Sequence, residues 1–218
     1  MVRFLFLPII AILLFLVSCN NDFQYLQRGK IGDLTWTLCK NGVLTVSGIG
    51  TIPDYRVTPT EILPPWFENR NYIKTVDIGN SVTQIGNLAF FRCDSLTDVS
   101  IGNSVSRIGY RSFLACISLT SLVIPNSVTE IDSASFAGCK GLLTLTIPSS
   151  VSVIRSGAFY DCVSLEEIIN HRETPVPIIR TVFSNVSKSC LLYVPANSID
   201  AYRFAITWRE FENILPIE

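Results

Sequence analysis

Histidine is almost missing from this chain: His171 is the single one among 218 residues. Metal centres built on imidazole clusters need several histidines at close spacing, so that class is excluded. Charge is sparse as well. Asp, Glu, Lys and Arg make up 16% of the residues, 17 basic against 18 acidic, for a formal net charge of −1. No Lys/Arg cluster or stripe occurs, which removes the electrostatic footprint of nucleic-acid binding. Catalytic signatures are absent too: there is no nucleophile elbow and no Walker loop. Gly48-Ile-Gly50 lacks a third glycine and a following helix, so it reads as a turn. Glu166 and Glu167 are adjacent on a strand pattern and face opposite ways, unlike a working acid–base pair. His171, beside Arg172, reads as a surface loop. No catalytic residue, metal or cofactor is expected.

What the chain does have is seven cysteines, four of them on a strict 23-residue period. These are Cys93, Cys116, Cys139 and Cys162. Aligned at that interval, Gly79 to Asn170 divides without a gap into GNSVTQIGNLAFFRCDSLTDVSI, GNSVSRIGYRSFLACISLTSLVI, PNSVTEIDSASFAGCKGLLTLTI and PSSVSVIRSGAFYDCVSLEEIIN. Four further columns are invariant: Val82/105/128/151, Ile85/108/131/154, Phe90/113/136/159 and Leu96/119/142/165. Self-similarity at a period of roughly 20 to 29 residues marks a leucine-rich-repeat solenoid. In such a fold, stacked units bury apolar columns that no unit buries alone. The end of each unit alternates apolar and polar residues, as a half-buried strand does. Ser133 to Cys139 is short and lacks β-branched residues, so one turn of helix or 3₁₀ is expected there. The repeating Cys lies midway between the Phe and the Leu of its unit. It is expected to be a free core thiol, since free Cys packs as a small hydrophobe.

The N-terminus is of another kind. Arg3 precedes an unbroken apolar run, Phe4 to Val17, which is too short to span a bilayer comfortably and suits a signal peptide. Its end, Leu16-Val17-Ser18-Cys19, resembles the bacterial lipobox. That resemblance implies cleavage before Cys19, with lipid on its sulfur and on its new amine. Two or three acyl chains anchor a protein durably.

Between signal and array, Leu34-Thr-Trp36-Thr-Leu38 and Leu44-Thr-Val46 flank Asn41-Gly42, the pattern of a hairpin. It would cap the first apolar layer, with Pro64-Pro65-Trp66 packing the linker onto it. After Asn170 the period fails. Leu192 to Pro195 reads as a strand, and Ser198 as the N-cap of a helix carrying Ala201, Tyr202, Ala205 and Trp208 on one side. Phe211, Ile214 and Leu215 would complete the cap. Cys39 and Cys190, one in each end, are open between buried and paired states.

The expected architecture is α/β: a right-handed solenoid of parallel strands and short helical or 3₁₀ turns, with a β-hairpin N-terminal cap and a small strand–helix C-terminal cap. Its segments are the signal peptide 1–18, lipidated Cys19 and tether 19–30, cap and linker 31–70, array 71–170 and C-terminal cap 171–218. The repeat SVTQIGNLAFFRC with its copies resembles the BspA-like leucine-rich-repeat proteins, whose 23-residue unit is also described from treponemes. DLTWTLCKNGVLTVSGIG resembles their N-terminal segment, and LYVPANSIDAYRFAITWREFENI the ending common in Bacteroidetes members. The resemblance implies a secreted or surface-bound protein that binds macromolecules, and it brings no catalytic residues.

By alternation, the outward strand residues are Thr75, Asp77, Asp98, Ser100, Ser121, Val123, Thr144, Thr146, Glu167 and Ile169. This polar, slightly acidic strip without aromatic anchors is the candidate face for a protein or glycan partner. Tyr110, Arg111 and Tyr160 on the opposite side are rival positions. Lipid on Cys19 would hold the chain to the bacterial envelope, with the outer membrane facing outward as the expected site. Cys19 is followed by Asn20-Asn21-Asp22, a single acid where surface lipoproteins of Bacteroidetes often carry a run, so a periplasmic scaffold is the alternative.

Overall fold

The computed structural model describes residues 25–57 and 62–218. Period-two alternation builds the first layer. Tyr25–Ile31 (β1), Leu34–Cys39 (β2) and Val43–Gly48 (β3) form an antiparallel meander. β2 and β3 meet through Asn41-Gly42, where Gly42 takes φ 89°, a left-handed conformation that costs glycine little. The expected hairpin is therefore present. β1 extends it to three strands and occupies residues assigned above to the tether.

From β3 onward the chain coils, and each coil contributes to three sides. The first side carries the strands Thr75–Ile78 (β5), Asp98–Ser100 (β7), Ser121–Val123 (β9), Thr144–Ile147 (β11), Glu167–Asn170 (β13), Leu191–Val194 (β14) and Asn213–Pro216 (β15). They form two five-stranded sheets, β1-β2-β3-β5-β7 and β9-β11-β13-β14-β15, parallel from β3 onward. The second side is a ribbon of short parallel strands: Gly50–Thr51 (β4), Val82–Ile85 (β6), Arg107–Ile108 (β8), Glu130–Ile131 (β10) and Val153–Ile154 (β12). Here Gly86 passes so close to the coil before it that an added Cβ would stand 1.9 Å from the Pro53 carbonyl oxygen.

The third side is the AFxxC segment. Bonds of 3₁₀ type form there, such as Ala137 N–H to the Ala134 carbonyl and Cys139 N–H to the Phe136 carbonyl. They do not run on into a helix, because two positions per unit are left-handed. One column is Leu88, Arg111, Ala134 and Gly157, and the other Arg92, Ala115, Gly138 and Asp161, with φ between 52° and 71°. This geometry turns alternate N–H groups toward the next coil. Phe90, Phe113 and Phe136 donate to the carbonyls of Ser112, Ser135 and Ala158 at 2.7, 2.8 and 2.9 Å. The turns thus form a third hydrogen-bond ladder, which satisfies backbone groups that burial would otherwise make costly.

Every copy of the Val, Ile, Phe, Cys and Leu columns is buried. The Phe column is a continuous stack. Trp66, Phe90, Phe113, Phe136, Phe159 and Phe183 follow one another at 5.4, 5.0, 5.1, 5.6 and 5.4 Å, with interplanar angles of 20° or less. Trp66, expected to fasten the linker, is the first rung; its Nε1 donates to the Ala89 carbonyl at 2.8 Å.

Phe183 shows that the coil outlives the sequence period. Glu167 pairs with Leu191, one position beyond the repeat interval, so a single inserted residue separates the next coil from the array. Val186 is buried near the turn where the repeats carry Cys. The C-terminal helix is shorter than its pattern suggested. It spans Ile199–Phe204 (α1), Ser198 at its N-cap makes no side-chain bond, and Ala201 is exposed. The helix stops at Ala205, which is extended with ψ 126°, and the chain turns again at Thr207, whose φ is 75° and whose hydroxyl donates to the Ile178 carbonyl. Trp208 lies beyond that break in a separate 3₁₀ turn, with Nε1 on the Val176 carbonyl at 2.7 Å. Arg172 closes the end of the array, its Nη1 donating to the carbonyls of Ser149 and Val151.

Candidate binding face

The ten outward strand residues are brought together in two parallel rows, and none of them is buried. In one row Thr75 stands beside Asp98, and Ser121 beside Thr144 and then Glu167. The other sets Asp77 beside Ser100, and Val123 beside Thr146 and then Ile169. Val123 is 65% exposed. Asp98 accepts a bond from the Thr97 hydroxyl at 2.7 Å. Partial burial raises the Asp77 carboxyl above its ordinary range by disfavouring the charge.

The rows run on into both ends, which the sequence period could not reveal. Thr45 of β3 pairs with Asp77. At the far end Tyr193 follows Ile169, and Leu215 follows Tyr193, while Leu191 follows Glu167. The face is therefore graded. Hydroxyls and two carboxylates occupy its N-terminal half, and Val123, Ile169, Tyr193 and Leu215 give the C-terminal half an apolar row. The ten residues themselves include no aromatic ring, but the continuation of their row adds one in Tyr193. Along the lower margin lies a groove of about 820 Å³, lined among others by Val99, Val123, Thr146 and His171. The groove runs past the C-terminal ends of β7, β9, β11 and β13.

On the opposite side, Arg111 sits over the Tyr110 ring at 4.8 Å and Tyr160 is 46% exposed. Tyr110 and Arg111 share one turn and Tyr160 lies two coils further on, so the three form no comparable row. Glu166 and Glu167 flank the strand edge; His171 is exposed and donates its N–H to the Ile147 carbonyl. Among the described residues, no group of three or more His, Cys, Asp or Glu is placed to hold a metal ion. No described helix is long and apolar enough to cross a membrane.

The repeat cysteines are free and buried, as expected of core thiols. Cys116, Cys139 and Cys162 donate to the carbonyls of Phe90, Phe113 and Phe136 at 3.2 to 3.4 Å. Burial raises all three, Cys162 to about 12, so no nucleophilic thiolate forms near neutral pH. Cys190 is also free and buried, and is likewise raised to about 12. Cys39 is disulfide-bonded. Cys19, the expected lipidation site, lies outside the described residues.

A family model for the BspA type leucine rich repeat region matches residues 60–205 in six copies. The chain belongs to the BspA-type leucine-rich-repeat family. The six copies reach beyond the four regular units, in keeping with coils that continue at both ends. Among solved structures, a leucine-rich repeat protein from Eubacterium ventriosum is 25% identical over 75% of this chain and 46% of its own, with a TM-score of 0.51. The pneumococcal vaccine antigen PcpA is 19% identical over 88% of this chain and 48% of its own, with a TM-score of 0.60. A leucine rich cell surface protein from Faecalibacterium prausnitzii is 27% identical over 79% of this chain and 55% of its own, with a TM-score of 0.46. The chain spans about half the length of these three. No curated protein matches it. The first two likenesses establish the solenoid fold. Repeats of this family generally serve as protein-binding modules.

Proposed function

We propose that this chain is a tethered binding module of the bacterial envelope, which presents its strand face to a protein or glycan ligand in adhesion. The observation that carries the reading is the continuity of that face. Two unburied rows run from β3 to β15, across the junction of the two sheets between β7 and β9; one ends on Tyr193 and Leu215 and the other on Leu191 and Asn213, a residue pattern suited to an interface with an aromatic anchor. The tether rests on Leu16-Val17-Ser18-Cys19: lipid on Cys19 would leave the solenoid held by a short linker.

The experiment is proteolysis of intact cells with a non-penetrating protease, for the wild type and for Cys19→Ala. Loss of the wild-type protein, together with release or mislocalisation of the variant, is the expected result. Protection until the outer membrane is opened would favour the second reading, a periplasmic scaffold, to which the single acid after Cys19 points.

A further inference from the structure

From β3 onward the charges of the strand face are of one sign; cations enter its rows only in β1, where Arg28 stands beyond Thr37 and Thr45 in the row of Asp77. From β3 to β15 its two rows hold three ionisable carboxylates, Asp77, Asp98 and Glu167, and no Lys or Arg. Among the described residues, none of the three forms an ion pair. Five acids elsewhere on the surface do form ion pairs: Glu130 and Asp132 with Arg107 and Arg155, Asp161 with Lys140, Asp200 with Arg203, and Glu210 with Arg180 and Lys188. Two of the three acids, Asp77 and Asp98, lie at the N-terminal end, and Glu167 lies beside the mainly apolar row at the other.

Resting on the reading of this face as the binding surface, we infer that its partner is a polypeptide segment with Lys or Arg side chains at one end and aliphatic or aromatic ones at the other. The cationic end lies over Asp77 and Asp98, and the apolar end packs on Val123, Ile169 and Tyr193. Complementary charge selects the partner and fixes its direction, while the apolar contacts hold it. Neighbouring strands are about 4.8 Å apart, so Asp77 and Tyr193, five strands apart, are separated by about 24 Å. An extended segment rising about 3.3 Å per residue covers that span in about seven residues. A neutral glycan would use the Tyr193 ring and leave the carboxylates unmatched.

The test is selection of displayed random 12-residue peptides on the full chain in detergent, followed by affinity measurement at 50 and 500 mM NaCl. Enriched peptides should combine basic with aliphatic or aromatic residues and bind more weakly at high salt. Tyr193→Ala should weaken them at least tenfold, and Asp77→Asn and Asp98→Asn severalfold each. Val123→Arg, a change at an open surface position that leaves the fold intact, should weaken them by repulsion. Circular dichroism and urea unfolding verify that each variant is folded.

Acidic or uncharged peptides, or basic ones indifferent to Asp77→Asn and Asp98→Asn, would overturn the inference. So would failure to enrich any peptide, whether or not a glycan array yields a binder that Tyr193→Ala abolishes. In the glycan case the strand-face reading would survive. Peptides lost on Tyr160→Ala or Arg111→Ala but untouched by Tyr193→Ala would instead overturn the strand-face reading itself.

Discussion

Phe136→Ala cuts the aromatic stack at its centre and leaves the backbone ladder in place. The Phe136 side chain is fully buried between Phe113 at 5.1 Å and Phe159 at 5.6 Å, both within 4° of parallel. Its N–H bond to the Ala158 carbonyl and the Cys162 thiol's bond to its carbonyl both survive in the variant. The loss is therefore transfer free energy, a cavity and two ring contacts. Buried Phe→Ala substitutions cost about 3–5 kcal/mol, and each aromatic pair accounts for about 0.5–1.5 kcal/mol. With rings on both sides and little room for a solenoid to collapse across its axis, a loss of about 4–5 kcal/mol is expected. Phe136→Leu retains most of the volume and should cost about 1.5 kcal/mol. Equilibrium urea unfolding, followed by circular dichroism with matched m-values, measures both. A loss below about 1.5 kcal/mol for Phe136→Ala, or equal losses for the two variants, would refute the stack as a main stabiliser.

The core thiols give a second check. Cys93, Cys116, Cys139, Cys162 and Cys190 should be silent to a thiol reagent at pH 8 in the native protein and react once urea unfolds it. Rapid labelling of the native chain would contradict their burial. Ala115 and Ala134 hold φ of 59° and 55°, where a Cβ costs about 1 kcal/mol. Ala115→Gly and Ala134→Gly should therefore each raise stability by about 0.5–1 kcal/mol in urea unfolding, against the usual direction for glycine. Asp77 supplies a pH dependence. Burial raises its folded pKa above the ordinary 3.8, so the ionised carboxylate weakens the native state at pH above the folded pKa. That penalty disappears below the unfolded pKa. Asp77→Asn should then raise the urea midpoint at pH 7 and leave it unchanged near pH 3, and an equal shift at both would refute the cause.

The array is legible in the sequence because its columns repeat. Val, Ile, Phe, Cys and Leu recur at fixed offsets, and each offset maps to one buried position per coil. That legibility stops at Asn170 because one inserted residue shifts Phe183 out of the 23-residue frame, although its ring stays on the stack at 5.4 Å from Phe159. Tyr193 and Leu215 are hidden with that coil. An alignment that allows one inserted residue after the last regular unit brings Phe183 and Leu192-Tyr193-Val194 back onto the columns. The left-handed columns are hidden for another reason. Leu88, Arg111, Ala115 and Ala134 hold positive φ without glycine, so no local residue preference marks them, and only the ladder between coils holds them there. At the other end, Trp66 resembles a linker residue because it precedes the frame of the Phe column by one position, yet it stacks on Phe90 at 11°. The helix expected over Ala201 to Trp208 is cut short where Ala205 turns extended, and Thr207, buried on the Ile178 carbonyl, turns the chain once more before Trp208.

The most direct test of the strand face as the binding surface is hydrogen–deuterium exchange of the full chain with and without the tightest selected peptide. Protection is expected in Asp98–Ser100, Ser121–Val123, Glu167–Asn170 and Leu191–Val194, and not in the AFxxC turns. Protection confined to the turns around Tyr110 and Tyr160, with the strands unchanged, would place the binding surface on the opposite side and contradict the proposed function.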